Sequence, residues 1–188
     1  MSLRRLAPAL ALAALALVPP ARASQVMHLD TRGLTRESSD IVIGTVGAQR
    51  THWNDAHTMI LTDVVIHVSQ SLKGVAGAEL TLTQVGGELD GMRYSVPGSP
   101  AFRSGEDVLV FAWRDRLGRP QVDGLAQGKF EIERDPASGA RVVQRAMPGL
   151  AIQEVKSLGA APLGRRASRP TLDAMVREIQ AAIQEGGR

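Results

Sequence analysis

The chain has 188 residues, with 22 Lys and Arg, 19 Asp and Glu, and no Cys. The lack of cysteine excludes a disulfide framework, a thiolate-ligated zinc site, a thiol nucleophile and the acyl anchor of a bacterial lipoprotein. Three of the basic residues lie within the first 23 positions and every acidic residue lies beyond them, so the rest of the chain is formally neutral. Because a phosphate-binding surface needs a local excess of Lys and Arg, we expect no nucleic-acid partner.

The first 23 residues have the three-part pattern of a secretory signal peptide. Two arginines give a positive start, residues 6–18 form an apolar run of mainly Leu and Ala, and Ala21-Arg22-Ala23 offers the small residues that a signal peptidase reads. The run is too short to cross a bilayer, which takes roughly 20 residues, and no later run reaches that length. We therefore predict cleavage after Ala23 and a periplasmic or secreted protein with no membrane insertion.

Residues 24–148 have the pattern of short β-strands separated by turns. Candidate strands cover residues 41–46, 58–72, 79–85, 92–96, 108–113, 130–134 and 141–144. In the longest of them, Val64, Ile66 and Val68 recur at the period of two that places side chains on one face of a strand. No helical pattern lies between the strands, which argues against a fold of alternating strands and helices. We expect a mainly β domain, a small barrel that is closed or partly open.

The last part of the chain has the pattern of a linker followed by a helix. Residues 149–170 are rich in the Gly, Pro, Ala and Arg of an exposed linker. Beyond them the apolar residues fall on one helical stripe, namely Leu172, Met175, Val176, Ile179 and Ile183. Thr171 is a suitable N-cap, and Asp173 in the first turn complements the helix dipole. We predict a helix over residues 171–185 that either packs on the domain or docks a partner.

A polar cluster, His52-Trp53-Asn54-Asp55-Ala56-His57, lies between the first two predicted strands. Imidazole and carboxylate groups both bind transition metals, so His52, Asp55 and His57 could cover one side of a metal ion. The cluster is also typical of a polar loop, in which regular structure does not fix the directions of the ligands. Two hypotheses follow: a solvated hairpin loop with Trp53 folded back on the domain, or the metal site of a hydrolase.

The motifs of common hydrolases are missing from the sequence. It contains no Gly-x-Ser-x-Gly elbow, no Ser-x-x-Lys pair and no His-Glu-x-x-His, and its glycine-rich stretches precede no helical pattern that could bind a phosphate. We therefore predict no catalytic residue and no cofactor. Ligand contacts are expected from the polar cluster and from the segment 86–100, through Trp53, Asn54, Glu88, Asp90 and Tyr94.

Several of these segments resemble an uncharacterised family of secreted bacterial proteins. The likeness spans roughly residues 40–134 and includes Gly44-Thr45-Val46, Leu72-Lys73-Gly74 and Gly124-Leu125-Ala126-Gln127-Gly128-Lys129-Phe130. The order of the strands also resembles the oligonucleotide/oligosaccharide-binding (OB) barrel, especially the netrin-like modules of extracellular proteins. This resemblance implies an OB-like fold. The netrin-like modules use cysteines that this chain lacks, so it does not imply protease inhibition.

Three functions are compatible with the sequence. The first is an exported, soluble, non-catalytic binding or accessory module for an unknown protein or small ligand of the envelope or exterior. The second is a metal-dependent hydrolase that uses His52, Asp55 and His57. The third is an envelope-assembly or structural protein that docks through its C-terminal helix. The missing catalytic motifs and the formal neutrality of the chain favour the first.

Overall fold

A computed structural model describes residues 29–74, 77–145 and 169–187. The predicted signal peptide and most of the predicted linker lie outside these residues. The elements, numbered here in chain order, are α1 (Thr31–Glu37), β1 (Asp40–Trp53), β2 (Ile60–Lys73), β3 (Glu79–Val85), β4 (Gly87–Leu89), β5 (Met92–Tyr94), β6 (Asp107–Arg114), β7 (Pro120–Val122), a 3₁₀ turn (Leu125–Gly128), β8 (Lys129–Arg134), β9 (Arg141–Gln144) and α2 (Leu172–Gly186). In this part of the chain, no helix is long and apolar enough to cross a membrane.

Seven strands form one antiparallel sheet in the order β3-β2-β1-β6-β8-β9, and β7 pairs with β6 beside β8. Strands β4 and β5 form a separate two-stranded hairpin. The prediction of a mainly β fold with a C-terminal helix is confirmed. Backbone pairing among the described strands does not close the large sheet into a ring, so a closed barrel is not confirmed.

The two faces of the sheet carry two separate apolar cores. The core on the face away from the helices, which we call the strand core, contains Val42, Val46, Val64, Ile66, Leu80, Leu82, Phe102, Val108, Val110, Ala112 and Val122. The core beneath the helices, the helix core, contains Leu34, Ile41, Ile43, Leu109, Phe111, Phe130, Val143, Leu172, Met175 and Ile179. Alternate residues of β1 and β6 enter opposite cores, because side chains alternate across a strand. Both strands are therefore buried at nearly every position in the region where they pair.

Two helices cover the outer face of the sheet. Asp30 is the N-cap of helix α1, and its carboxylate accepts a 2.7 Å hydrogen bond from the Gly33 amide. The helix buries Leu34. Thr171 is the N-cap of helix α2, as the sequence predicts, and its hydroxyl accepts a 3.2 Å hydrogen bond from the Ala174 amide. The apolar stripe of α2 packs into the helix core. The hypothesis that this stripe is left free for a partner is therefore not supported.

The structure corrects several details of the predicted elements. Strand β1 continues from Val46 to Trp53, so His52 and Trp53 lie in a strand rather than in a loop. This extension is half exposed and pairs only with β2. Its sequence is mostly polar and does not alternate with apolar residues as a core strand does, so the pattern does not predict a strand there. Helix α1 and strands β4 and β7 were not predicted. Each of them is short, and tertiary contacts rather than local pattern stabilise it.

We expect the substitution Ile179→Ala to destabilise the protein by about 3 kcal/mol, because it leaves a cavity in the helix core. Ile179 is fully buried. Gln180→Ala, at the next and exposed position of α2, is the matched control and should change stability by less than about 0.5 kcal/mol. Urea unfolding followed by circular dichroism measures both. Equal effects of the two substitutions would show that α2 does not unfold together with the sheet.

Asp123, which follows β7, is a buried carboxylate. Burial raises its pKa above the ordinary value and nearby Glu37 adds to this, while a 3.1 Å hydrogen bond from the Ser38 hydroxyl acts in the opposite direction. Since the folded-state pKa is raised, the contribution of this group to stability is present at low pH and is lost as the pH rises through the folded-state pKa.

We expect Asp123→Asn to stabilise the protein at pH 7, because the amide keeps an acceptor for Ser38 and has no charge to desolvate. The advantage should vanish below the unfolded-state pKa of about 3.9, where wild-type Asp123 is protonated in both states. Chemical unfolding at several pH values between 3 and 7 measures the difference. A variant that is less stable than wild type at pH 7 would contradict this account.

Candidate functional site

Three connections meet at one end of the sheet: the β1–β2 turn (residues 54–59), the β4–β5 hairpin and the β6–β7 turn (residues 115–119). The Trp53 indole N–H donates a 3.0 Å hydrogen bond to a carboxylate oxygen of Asp90, which ties the first connection to the second. Two predicted ligand-binding residues are thus brought together, but they bind each other.

Asn54 organises the β1–β2 turn. Its side-chain oxygen accepts hydrogen bonds from the amides of Thr58 (2.8 Å) and Met59 (3.0 Å), and its side-chain nitrogen donates to the Thr58 hydroxyl (3.0 Å). An Asn side chain that bonds to the following backbone is a common way to fix a turn. The structure therefore gives Asn54 a structural role within the predicted site.

An apolar pocket of about 290 Å³ lies between the β1–β2 turn, the β6–β7 turn and the end of β3. Its lining comprises His52, Asn54, Asp55, Ala56, Met59, Leu61, Thr83, Val85, Leu117, Arg119 and Gln121. Met59 and Leu117 are among the few large apolar side chains left exposed, and Leu117 is 76% exposed. A pocket of this size is at the small end of the range for ligand sites and can enclose one apolar side chain or a small organic group.

Both ring nitrogens of His52 face hydrogen-bond acceptors. Nδ1 lies 2.8 Å from the Trp53 carbonyl oxygen, and Nε2 lies 3.1 Å from a carboxylate oxygen of Asp63. The other oxygen of Asp63 accepts a 2.8 Å hydrogen bond from the Thr83 hydroxyl. Both ring nitrogens of His52 are thus occupied by contacts with protein oxygens at the rim of the apolar pocket.

The predicted metal ligands do not come together. Asp55 lines the apolar pocket, whereas the ring of His57 stacks on Trp53 with the ring centroids 6.3 Å apart. His57 has a left-handed backbone (φ 52°) in the turn. Within the described residues, no three His, Cys, Asp or Glu side chains are grouped so that they could hold a metal ion. The geometry gives the metal-dependent hydrolase no support.

A second, more polar depression of about 520 Å³ lies beneath the β4–β5 hairpin, and we call it the polar groove. Tyr94 lines it and is half exposed, while Glu88 forms a 3.4 Å cross-strand ion pair with Arg93 on the exposed hairpin. The hairpin can approach the sheet because Gly87 has a positive φ of 140° and a Cβ there would lie 2.6 Å from the Thr62 hydroxyl. Of the predicted ligand-binding residues, Tyr94 remains the one that faces this groove.

Sequence reasoning missed the β6–β7 turn, which supplies one wall of the apolar pocket. Asp115 holds this turn, because its carboxylate accepts hydrogen bonds from the amides of Leu117 (2.8 Å) and Arg119 (2.9 Å) and from the Arg119 guanidinium (2.8 Å). Desolvation alone would raise the pKa of Asp115, but these hydrogen bonds outweigh it and lower the pKa below its ordinary value. The Asp and Gly of residues 115–118 signal a turn, but nothing in the sequence places it beside the polar cluster.

We expect Asp115→Asn to destabilise the protein at pH 7, since the amide cannot accept all of these hydrogen bonds and loses the ion pair with Arg119. A folded-state pKa that is lowered gives stability above the unfolded-state value of about 3.9 and loses it as the pH falls through the folded-state pKa. The difference between wild type and variant should therefore shrink on acidification to about pH 3. Urea unfolding at both pH values measures it, and a difference that grows in acid would contradict the assignment.

Comparisons with known proteins add no relative: no protein family, no curated protein and no solved structure matches this chain. The proposals below are supported by the geometry and chemistry of the chain itself.

Proposed function

We propose that the protein is an exported, soluble, non-catalytic binding module and that the apolar pocket holds part of its ligand. The observation that carries this proposal is that two turns far apart in sequence, together with the end of β3, build one apolar pocket with Met59 and Leu117 exposed at its mouth. Each methylene group of a ligand that this pocket buries would contribute about 0.8 kcal/mol to binding. The ligand is a protein or small molecule of the periplasm or the exterior that offers an apolar group.

Binding is better supported than catalysis because two polar side chains of the pocket lining, His52 and Arg119, are engaged with other groups of the protein. His52 contacts Asp63 and a carbonyl group, and Arg119 is held by Asp115. A general base or a nucleophile needs a lone pair directed at the substrate. These pairs instead fix the walls of the pocket, and the apolar floor of Leu61 and Val85 suits the burial of an uncharged group.

We also propose that the sheet is a partly open barrel of the OB-like kind. Support comes from the edge strand β3 and from β7, which pairs with β6 on the other side of the sheet, because β7 lies beside β3 without pairing to it. Val122 of β7 and Leu82 of β3 belong to the same strand core. On this proposal the sheet curls round the strand core until its ends meet through side chains. Function does not follow from such a fold, so the apolar pocket remains the basis for the proposed activity.

A screen of small fluorinated aliphatic and aromatic fragments by ligand-observed ¹⁹F NMR tests the binding proposal on the purified protein. We expect some of these fragments to bind in the apolar pocket. Their binding should change the chemical shifts of the Leu61 and Val85 methyl groups in ¹³C spectra, because both side chains line the pocket. Leu117→Asp should weaken these fragments at least tenfold, which corresponds to about 1.4 kcal/mol, because it places a charge at the pocket mouth.

The matched control is Met92→Asp, which introduces the same charge at an exposed apolar residue of β5 outside the pocket. Fragment binding should be unchanged in this variant. The proposal is wrong if no fragment shifts the pocket methyl groups, or if both substitutions weaken binding equally.

A further inference from the structure

Lys129, the first residue of β8, is a buried amine surrounded by carboxylates and is only 1% exposed. Its Nζ lies 2.6 Å from a carboxylate oxygen of Glu106, 3.3 Å from one of Glu131 and 2.5 Å from the Ala101 carbonyl oxygen. The ring of Phe102 covers the amine, with its centroid 4.9 Å from Nζ. This cluster lies away from the apolar pocket and has no part in the proposed binding function.

The register of the sheet brings these three side chains together. Lys129 and Glu131 are two residues apart on β8 and share one face of it. On β6 they pair with Val110 and Val108 respectively. Glu106 directly precedes β6 and lies two residues before Val108 in the chain. Its side chain is therefore on the same face of the sheet as those of Val108 and Val110. Backbone pairing thus places Lys129 and Glu131, and Glu106 is held beside them by its backbone hydrogen bonds to Val46 and Arg103.

The charges of this cluster differ in their exposure. The Lys129 ammonium and two carboxylates are shielded, whereas the cation that completes the charge balance, Arg103, is 76% exposed, with its guanidinium 3.4 Å from Glu131 and 3.7 Å from the second carboxylate oxygen of Glu106. That oxygen, Oε2 of Glu106, is buried and accepts no hydrogen bond from the described residues. A buried anionic oxygen without a hydrogen bond is costly, and so is a buried ion pair.

We propose that Lys129 and Glu106 condense to an intramolecular amide, a covalent cross-link between β8 and the start of β6. The Lys129 nitrogen forms a bond to the side-chain carboxyl carbon of Glu106, and one carbon–oxygen bond of that carboxylate breaks. Two of the three ammonium protons move to the departing oxygen, which leaves as water. The third stays on the amide nitrogen. No oxidant or other reactant is needed, and the total charge of the cluster is unchanged.

Glu131 is suited to carry a proton in this reaction. Its carboxylate contacts Nζ, so it can accept a proton from the ammonium, free the lone pair for attack and return the proton to the departing oxygen. It starts and ends as a carboxylate. The condensation removes the charges of Lys129 and Glu106, and Glu131 keeps Arg103 as its partner.

Two physical effects favour the condensation in the folded protein. Groups held in contact by a rigid framework react as if present at effective concentrations of about 10⁵–10⁸ M, which lowers the entropic part of the barrier to amide formation. The neutral amide also removes two charges from a site that excludes water, and one of the two Glu106 oxygens leaves. Both effects act only after β6 and β8 have paired.

The test is the intact mass of the purified full chain under denaturing conditions. We expect a mass lower than that of the mature sequence by one water molecule. Since trypsin does not cleave after an acylated lysine, a digest should contain residues 104–114 joined to residues 117–134, with the join at Glu106 and Lys129. A wild-type protein with the unmodified mass would overturn the proposal.

Three variants make the assignment specific. Lys129→Arg keeps the positive charge but has no nucleophilic amine, and Glu131→Ala removes the proton carrier, so both should have their unmodified masses. Glu106→Gln should condense with loss of ammonia and reach the same final mass as cross-linked wild type, because the product is identical. Water loss that persists in Lys129→Arg would place the modification elsewhere and refute the proposed bond.

Discussion

The structure depends on a close contact between two neighbouring strands of the sheet, β1 and β2, at Gly44. A Cβ at this position would collide with the carbonyl oxygen of His67 on β2, and the register of the two strands shifts between Ile43 and Gly44. On either side of this point β1 is buried on both faces, with Ile43 in the helix core and Val46 in the strand core. Glycine at this position lets β2 approach, and β3 and the pocket walls follow from the position of β2.

The elements that could be predicted from the sequence are those whose burial repeats along the chain. Strand β3 and helix α2 were located almost to the residue because Leu80 and Leu82, or Met175 and Ile179, face a core at a regular period. Helix α1 has a single fully buried large side chain, Leu34, and is too short to show a stripe. Its position is set by the helix core it covers, which a local pattern cannot reveal.

The candidate site was only partly predictable for a related reason. His52, Asn54 and Asp55 were identified as one group, and they do line one pocket. Leu117 and Arg119 line the opposite wall of the pocket and lie more than 60 residues later in the chain. The approach of β7 to β3 places them beside the β1–β2 turn. Residue type alone also could not separate a metal ligand from a hydrogen-bond donor. The neighbours of His52 distinguish the two roles, because its ring nitrogens contact Asp63 and the Trp53 carbonyl rather than the other predicted ligands.

Two of the contacts between a basic side chain and a carboxylate lie in different surroundings. His52 and Asp63 are each about one-third exposed, so water screens their contact, which shapes a pocket wall. Lys129 is shielded from water, and there the same kind of contact favours loss of charge. The proposed amide would close a loop from Glu106 to Lys129, and a cross-link of that span contributes about 3 kcal/mol by restricting the unfolded chain. A chain without cysteine cannot gain such a cross-link from a disulfide, and the row of side chains along β6 and β8 offers it one made from lysine and glutamate.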